Sequence, residues 1–473
     1  MSLRNFFYIA LLLLAPFSVS AHGFGARIDL PVPLHLYAIG AGAVVALSFV
    51  IMGVFIRRGE HNHLLYSAYN LCRLRVVRAI FESTVLRRII QASGVIFLFL
   101  IIVGGLFGVQ QVAFNIAPTS VWILFSVGLI YFVALIGNIW NILNPFKTVF
   151  EIGEKMFGTS FSARRWPATL GVWPAFLGLF LFRWVENVFP LGANPQTLAS
   201  FVIVYALITF AGMLYFGKDT WLNKGDPFGV LFRFLSYFSI TEVREQSGTK
   251  ALYVRPPVVG ILSAEKMDVS KVFFVLLLLA TVSFDGLSAT PAWQTFQLAF
   301  LEIGIVSIYA KTLGFILLIF AFASVFYFFS YLTSAITRAG KDVFGTAQDF
   351  ILSLLPIAVA YEIAHFASLI LIEGQRIIYL ISDPFGFGWN IFGTAGYEVN
   401  IQIVSIKALW NFQIALIVLG HIAAVYVAHV LALKWFKDRK VAMRSQYPIM
   451  LLMVGYTMLG LWILAQPIVV VAS

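Results

Sequence analysis

The chain has 473 residues, of which 60% are hydrophobic and 11% are charged, and its formal net charge is +11. Soluble domains are about 45–50% apolar and about 25% charged, so this composition excludes an ordinary soluble protein and predicts a membrane protein with several spans. The single cysteine, Cys72, excludes an internal disulfide and a cysteine-based metal cluster. No nucleic-acid motif accompanies the basic excess, so no nucleic-acid partner is predicted.

Residues 1–21 have the pattern of a cleaved signal peptide. Arg4 precedes the apolar run FFYIALLLLAPF, and a V-S-A cleavage site ends at Ala21. Cleavage there would make His22 the mature N-terminus and would leave 22–473 as a single transmembrane helical domain. The alternative interpretation is an uncleaved first helix, although the apolar run is short for a span.

Ten apolar segments follow the signal peptide, and each is about long enough to cross a bilayer. The predicted spans are 34–56, 93–113, 120–141, 168–187, 197–216, 271–288, 310–335, 346–373, 407–433 and 448–469. Basic residues are concentrated in every second loop between these segments. This distribution places the basic loops in the cytoplasm and both ends of the mature chain outside. The predicted fold class is therefore all-α, a polytopic transmembrane helical bundle. The segment 291–309 is interpreted as an interfacial or re-entrant piece rather than a plain loop.

Two of the predicted inner loops have similar sequences. Each carries Asn or Asp before Pro-Phe, at 144–146 and at 226–228, which is a helix-start signal. Amphipathic helices lying on the inner leaflet are predicted near 145–158 and 227–240. The likeness indicates either a weak internal repeat, as in transporters, or a common way of turning at a membrane surface. A third copy at 383–385, on the predicted outer side, favours the second interpretation.

The predicted span 346–373 carries ionisable residues, which cost at least ~2.5–3.5 kcal/mol each at membrane depth and so indicate function. Glu362 and His365 are three residues apart and share a helix face. His421 falls near the middle of the next span, and His429 lies about two turns further on. A carboxylate with two histidines could hold zinc, copper or iron, or relay protons. The structural alternative is a hydrogen-bonded pair that joins two helices.

Other polar residues indicate a functional site less strongly. The α-amine and imidazole of His22 form a chelate that suits copper, and the alternative is an N-terminal histidine without a metal role. Arg183 and Glu186 are predicted to form an i,i+3 pair near an outer helix end, with the Arg side chain snorkelling. Asp285 ends a span, either as a helix cap or as a site residue. The pair His61 and His63 has His-x-His spacing but lies in a basic loop. Asp29 and His35 lie close enough in sequence to His22 to complete a site.

Several stretches together resemble a family of bacterial polytopic inner-membrane proteins labelled fenitrothion hydrolase. They are HGFGARIDLPVPL at 22–34, RRWPATLGVWPA at 164–175, ATVSFDGL at 280–287, SDPFGFGWNIFGTAG at 382–396, and the C-terminal stretch 429–469. The resemblance implies a bacterial inner-membrane location and hydrolysis of an organophosphorus triester into a phenol and a dialkyl acid. That chemistry needs a water-activating base or metal. Glu362, His365 and His421 are then the predicted catalytic residues, acting on an apolar substrate that arrives through the lipid bilayer.

Two further classes of function fit the same residues. A transporter or channel for a metal ion or small solute would use them to bind or relay its cargo, and broken helices would then matter. A non-catalytic membrane assembly factor would tolerate replacement of His365 apart from a loss of stability. The sequence leaves these three classes open.

Overall fold

The computed structural model describes residues 40, 42, 43, 47, 66–158, 164–246, 248–337, 342–436 and 438–465. Several predictions therefore lie outside the described residues: the signal peptide, the first span at 34–56 apart from four isolated positions, and the candidate ligands His22, Asp29, His35, His61 and His63.

Helices dominate the described chain. They are α1 Arg75–Glu82, α2 Thr84–Phe107, α3 Ile116–Leu135, α4 Pro145–Phe157, α5 Trp173–Asn187, α6 Pro195–Phe216, α7 Pro227–Ser236, α8 Val269–Ser288, α9 Pro291–Glu302, α10 Ser307–Thr337, α11 Val343–His365, α12 Ile406–Trp435 and α13 Arg439–Leu464. A small antiparallel sheet has strands β1 Tyr69–Asn70, β2 Thr241–Gln246 and β3 Thr249–Val254, with β3 in the middle. The prediction of an all-α polytopic bundle is confirmed.

Nine of these helices are long and apolar enough to cross a membrane within the described ranges. They are α2, α3, α5 with the short turn before it, α6, α8, α10, α11, α12 and α13. They correspond to the nine predicted spans after the first, in the same order. Helices α2 and α13 begin at Thr84 and Arg439, earlier than the predicted starts at 93 and 448, and α11 stops at His365, whereas the prediction ran to residue 373. The helix is interrupted at Phe366, and a short helix, Ala367–Ile372, follows directly and covers most of the remaining predicted span.

Two pairs of loops that were predicted to share a side of the membrane contact each other. Tyr69 and Asn70 pair with β3, which joins the loop before α2 to the loop between α7 and α8. We call this end of the bundle the sheet face. At the other end, the segment after α2 hydrogen bonds to the loop before α12, through Val109 N–H to the Phe385 carbonyl at 2.9 Å. We call that end the opposite face.

The two short helices α4 and α7 begin inside the bundle. The Tyr205 side chain stands near the middle of α6, and its hydroxyl donates to the carboxylate of Asp226 at 2.5 Å. The Phe146 ring at the start of α4 packs 5.0 Å from the Tyr205 ring, and the Phe228 ring at the start of α7 packs 5.5 Å from it. Asn144 and Asp226 cap the two helices in the same way.

This arrangement corrects the prediction that the second helix lies on the membrane surface. Most side chains of α7 are buried, among them Phe228, Phe232 and Phe234, because the helix packs between α3, α5 and α8. In α4 the first half is buried, while Met156 and Phe157 near its end are exposed.

The third copy of the motif behaves differently from the first two. Asp383 accepts hydrogen bonds from the N–H groups of Phe387 and Gly388, which closes a turn instead of starting a helix. The shared geometry of the first two copies therefore favours the interpretation as a repeat. The segment predicted at 291–309 contains helix α9, which begins at the cap residue Thr290 and is not a plain loop.

Candidate functional site

Helix α11 ends within the protein, and side chains from other helices satisfy its last carbonyl groups. The final carbonyls of a helix have no partner within it, so an end buried in apolar surroundings needs donors from elsewhere. The Tyr131 hydroxyl on α3 donates to the carbonyl of Ile363 at 2.5 Å, and the Gln413 amide on α12 donates to that of Ala364 at 2.8 Å. These two bonds fix the end of the helix that carries Glu362 and His365.

Arg183 joins Glu362 to a second carboxylate. Its guanidinium donates to Glu362 across 2.5 Å and to Glu186 across 2.7 Å, and its side chain is 3% exposed. The predicted i,i+3 pair with Glu186 is confirmed. The prediction that the Arg side chain snorkels to the surface is wrong, because Glu362 on α11 provides a partner inside the bundle. The carboxylates of Glu186 and Glu362 therefore share the guanidinium of Arg183 in the interior of the bundle.

Helix α3 contributes the next contact. Eleven of its residues, Thr119–Leu129, have π-helical hydrogen bonding, a widening that is frequent at functional sites. Within this stretch the Ser126 hydroxyl donates to Glu186 at 3.2 Å. Helices α3, α5 and α11 thus supply the side chains that meet at the cluster of Arg183, Glu186 and Glu362. The start of α7 lies beside it, because the ring of Phe228 packs against that of Phe182.

Asp285 and His365 form a second polar pair next to the first. Nε2 of His365 lies 2.5 Å from a carboxylate oxygen of Asp285, and since that oxygen accepts, Nε2 is the donor. The other ring nitrogen, Nδ1, is buried and makes no hydrogen bond with any described residue. Asp285 is the more exposed member, with 34% of its side chain accessible against 15% for His365. The carboxylate of Asp285, in the last turn of α8, is therefore engaged by His365.

Gly286 lets this pair approach the middle of the bundle. A Cβ added there would lie 3.2 Å from Cε1 of His365 and 3.5 Å from the Tyr361 hydroxyl, and it would clash with the side chain of Ile463. Both Tyr361 and His365 therefore pack against this glycine, with ring centroids 6.0 Å apart.

His421 is placed apart from the other two predicted catalytic residues. It lies near the middle of α12, and its Nδ1 donates to the carbonyl of Ile417 at 2.7 Å. Nδ1 must carry the proton because a carbonyl oxygen only accepts. Nε2 of His421 is buried without a partner beside a cavity of about 20 Å³. Further along α12, Nδ1 of His429 lies 2.9 Å from the side-chain oxygen of Gln446.

The structure does not bring Glu362, His365 and His421 together as one ligand set. Glu362 is engaged by Arg183, and His365 is engaged by Asp285. Across the described parts of the chain, no group of three or more His, Cys, Asp or Glu side chains is placed to hold a metal ion. The ionisable side chains are instead paired with each other across helices.

The sequence reasoning missed which residues pair with which. Arg183 and Glu362 lie 179 residues apart, and Asp285 and His365 lie 80 residues apart. The sequence identifies each of these residues as an ionisable group in or at the end of an apolar span. Sequence spacing alone does not show which spans are neighbours. Tyr361 was overlooked, although it lies one helical turn before His365 and so shares its helix face.

Comparisons with protein-family models, with curated proteins and with solved structures found no match. The fold and the apolar helices define the class: this chain is an integral membrane protein with multiple helical spans.

Proposed function

We propose that the protein is a proton-coupled membrane transporter for a small solute or ion. The observation that carries this proposal is the buried cluster in which one guanidinium, that of Arg183, serves the two carboxylates of Glu186 and Glu362. With all three groups ionised the cluster has one uncompensated negative charge. A buried uncompensated charge is costly, so the cluster favours binding of a proton or another cation.

The surrounding helices support the same function. Transporters build their sites from interrupted helices whose ends lie within the bundle. Here α4 and α7 start inside the bundle at Tyr205, α11 ends inside it at His365, and α3 has a long π-helical stretch. Irregular backbone at this depth is tolerated where it is buried in protein or lines a cavity, so these interruptions point to a path through the bundle.

The predicted orientation gives the direction of such a path. By the distribution of basic residues, the sheet face is cytoplasmic and the opposite face, where Asp285 is partly exposed, is periplasmic in a bacterial inner membrane. The pair of Asp285 and His365 then receives protons from the outside. The cluster at Arg183 lies next to it along α11, since Glu362 and His365 share one helix face.

A pH-jump experiment on membranes tests the proposal. Purified protein is reconstituted into vesicles, adsorbed to a solid-supported membrane and exposed to a sudden change in pH while the displaced charge is recorded. We expect a transient current with the wild type, and we expect Glu362→Gln to reduce it, because the cluster then has no uncompensated negative charge. Glu302→Gln, which alters an exposed carboxylate on α9, is the matched control and retains the current.

Two results would contradict the proposal. Folded wild-type protein that displaces no more charge than empty vesicles would exclude proton binding within the membrane. A current that Glu362→Gln leaves unchanged would place the proton-binding group elsewhere. Once charge movement is established, the cargo is sought by adding candidate solutes at constant pH and recording the additional current.

A hydrolase of organophosphorus triesters is the second candidate, and one observation favours it. Asp285 holds the ring of His365 through Nε2 and leaves Nδ1 without a partner, which is how a carboxylate orients an imidazole general base. The test is release of the nitrophenol from fenitrothion by purified protein in detergent, comparing wild type with His365→Ala. Release that is lost in the variant would support the enzyme, and no release by folded wild type would contradict it for this substrate.

A further inference from the structure

A small cavity lies within the bundle, between α8, α10, α11, α12 and α13. Its volume of about 20 Å³ exceeds the roughly 10–15 Å³ that one water molecule needs. Most of its lining is apolar, but the side chains of Tyr361, His421 and Tyr456 also line it. Among the described residues, the buried Oη of Tyr361, Nε2 of His421 and Oη of Tyr456 have no hydrogen-bond partner. Tyr361 is 5% exposed and His421 is 2% exposed.

Three unpartnered polar atoms around one cavity need an explanation, because each buried unsatisfied group costs about 1–3 kcal/mol. A fourth polar side chain in the lining, Ser283, is already satisfied, since its hydroxyl donates to the carbonyl of Leu279 at 2.8 Å. The Tyr456 ring is held in place by stacking on Phe322, with ring centroids 5.0 Å apart. A ligand within the cavity would supply the missing partners.

The chemistry of the three atoms defines that ligand. Nδ1 of His421 carries the ring proton, so Nε2 of the neutral ring is an acceptor. The hydroxyls of Tyr361 and Tyr456 are both able to donate. One water molecule that donates to His421 and accepts from the two tyrosines satisfies all three, and three hydrogen bonds are typical of an internal water.

We propose that this cavity is a binding site for an internal water molecule that completes a hydrogen-bonded chain from His421 to Tyr361, beside the pair of Asp285 and His365. Its role in proton movement rests on the proposed transport function. In that role the His365 ring first comes within hydrogen-bond distance of the Tyr361 hydroxyl, from ring centroids that lie 6.0 Å apart in this structure. A proton then leaves the imidazolium of His365 for the Tyr361 oxygen, the tyrosine passes its own proton to the water, and the water gives one to Nε2 of His421. No group is oxidised or reduced, and the net change is one proton moved from His365 to His421.

The position of the cavity is consistent with a proton route across the bundle. His365 and the partly exposed Asp285 lie toward the opposite face, and His421 lies near the middle of α12. His429, with its partner Gln446, lies eight residues further along α12, about 12 Å toward the sheet face. The charged groups nearest the outer part of this route are the carboxylate of Glu362 and the guanidinium of Arg183, which engage each other.

Infrared spectroscopy on hydrated films of the purified protein tests the water site. We expect a sharp O–H stretching band of an internal water that moves to lower frequency when the sample is exchanged into H₂¹⁸O. The band is expected to be shifted in Tyr361→Phe and in Tyr456→Phe and to be absent in His421→Phe, whose ring occupies the cavity. Tyr327→Phe is the matched control, because its buried hydroxyl also makes no hydrogen bond but does not line this cavity.

The outcomes separate this inference from the transport proposal. Absence of the band from the folded wild type, or its persistence unchanged in His421→Phe and both cavity tyrosine variants, would overturn the water site. A band that behaves as expected, together with a slower pH-jump current in Tyr361→Phe, would support both the site and its relay role. A normal band with no wild-type current would leave the site standing and would remove the transport function. A wild-type current whose rate Tyr361→Phe leaves unchanged would overturn the relay role.

Discussion

Arg183 on α5 donates a hydrogen bond to Glu362 on α11 across 2.5 Å, and it is shared with Glu186 one turn along its own helix. The contact joins two spans in the interior of the bundle. Because two carboxylates share one guanidinium, the three groups are not equivalent. Removal of either carboxylate leaves a neutral pair, whereas removal of Arg183 leaves two carboxylates facing each other.

The first prediction follows from that asymmetry. Arg183→Met is expected to destabilise the protein by about 3–5 kcal/mol, the cost of leaving a buried charge without its partner. Glu362→Gln is expected to cost only about 1 kcal/mol, the value of one hydrogen bond. Unfolding in mixed detergent, followed by tryptophan fluorescence, measures both. Equal losses in the two variants would show that charge balance does not govern this cluster.

The second prediction concerns the pair of Asp285 and His365. A double-mutant cycle with Asp285→Asn and His365→Gln is expected to give a coupling free energy of roughly 1–2 kcal/mol, near the upper end for hydrogen bonds between membrane helices. The same cycle between His365→Gln and Glu302→Gln serves as the control and should give none, since Glu302 is exposed on α9. A coupling near zero for the first cycle would mean that the two side chains do not interact in the folded protein.

The third prediction concerns pH and Asp226, which lies outside the nine candidate spans. Burial raises the pKa of the Asp226 carboxyl to about 6, against opposing hydrogen bonds from the Tyr205 hydroxyl and the Gly229 N–H. Between pH 4 and 6 the folded state then binds more protons than the unfolded state, so the free energy of unfolding decreases as pH rises through this window. At ~1.4 kcal/mol per pKa unit, the free energy of unfolding decreases by about 3 kcal/mol over this window.

Asp226→Asn provides the comparison for that titration. Asparagine is an equally good helix cap, as Asn144 shows at the start of α4, but it does not titrate. The difference in unfolding free energy between wild type and variant is therefore expected to change between pH 4 and 6 and to stay constant above pH 7. A difference that is constant over the whole range would contradict the raised pKa.

The fourth prediction uses two glycines in spans that meet at the site. Gly286→Ala places a methyl group against Ile463, His365 and Tyr361, and overpacking of this kind typically costs about 1–3 kcal/mol. Gly455→Ala is the matched control, because a Cβ there has open space and alanine favours a helix. The expected order of unfolding midpoints is Gly455→Ala at or above the wild type and Gly286→Ala below it. Equal midpoints would mean that the close approach at Gly286 is not needed.

The sequence by itself determined the class and the order of spans. Apolar runs of about 20 residues must cross a bilayer as helices, because backbone groups have no other partners there. For that reason nine predicted spans match described helices, and the pair of Arg183 and Glu186 followed from helix geometry alone. The start signals at Asn144 and Asp226 likewise located two helices correctly.

Only the tertiary structure decided which spans are neighbours, and therefore what the site is. Helical periodicity shows which face of a helix a residue lies on. It does not show which neighbouring helix that face packs against, because an apolar face can pack against many helices with similar energies. The link from Arg183 to Glu362 and the link from Asp285 to His365 depend on that selection. The burial of α7 was decided in the same way, since its amphipathic sequence fits a membrane surface until helices α3, α5 and α8 enclose it. The water-sized cavity at His421 exists only because four separate helices place their polar groups around one point.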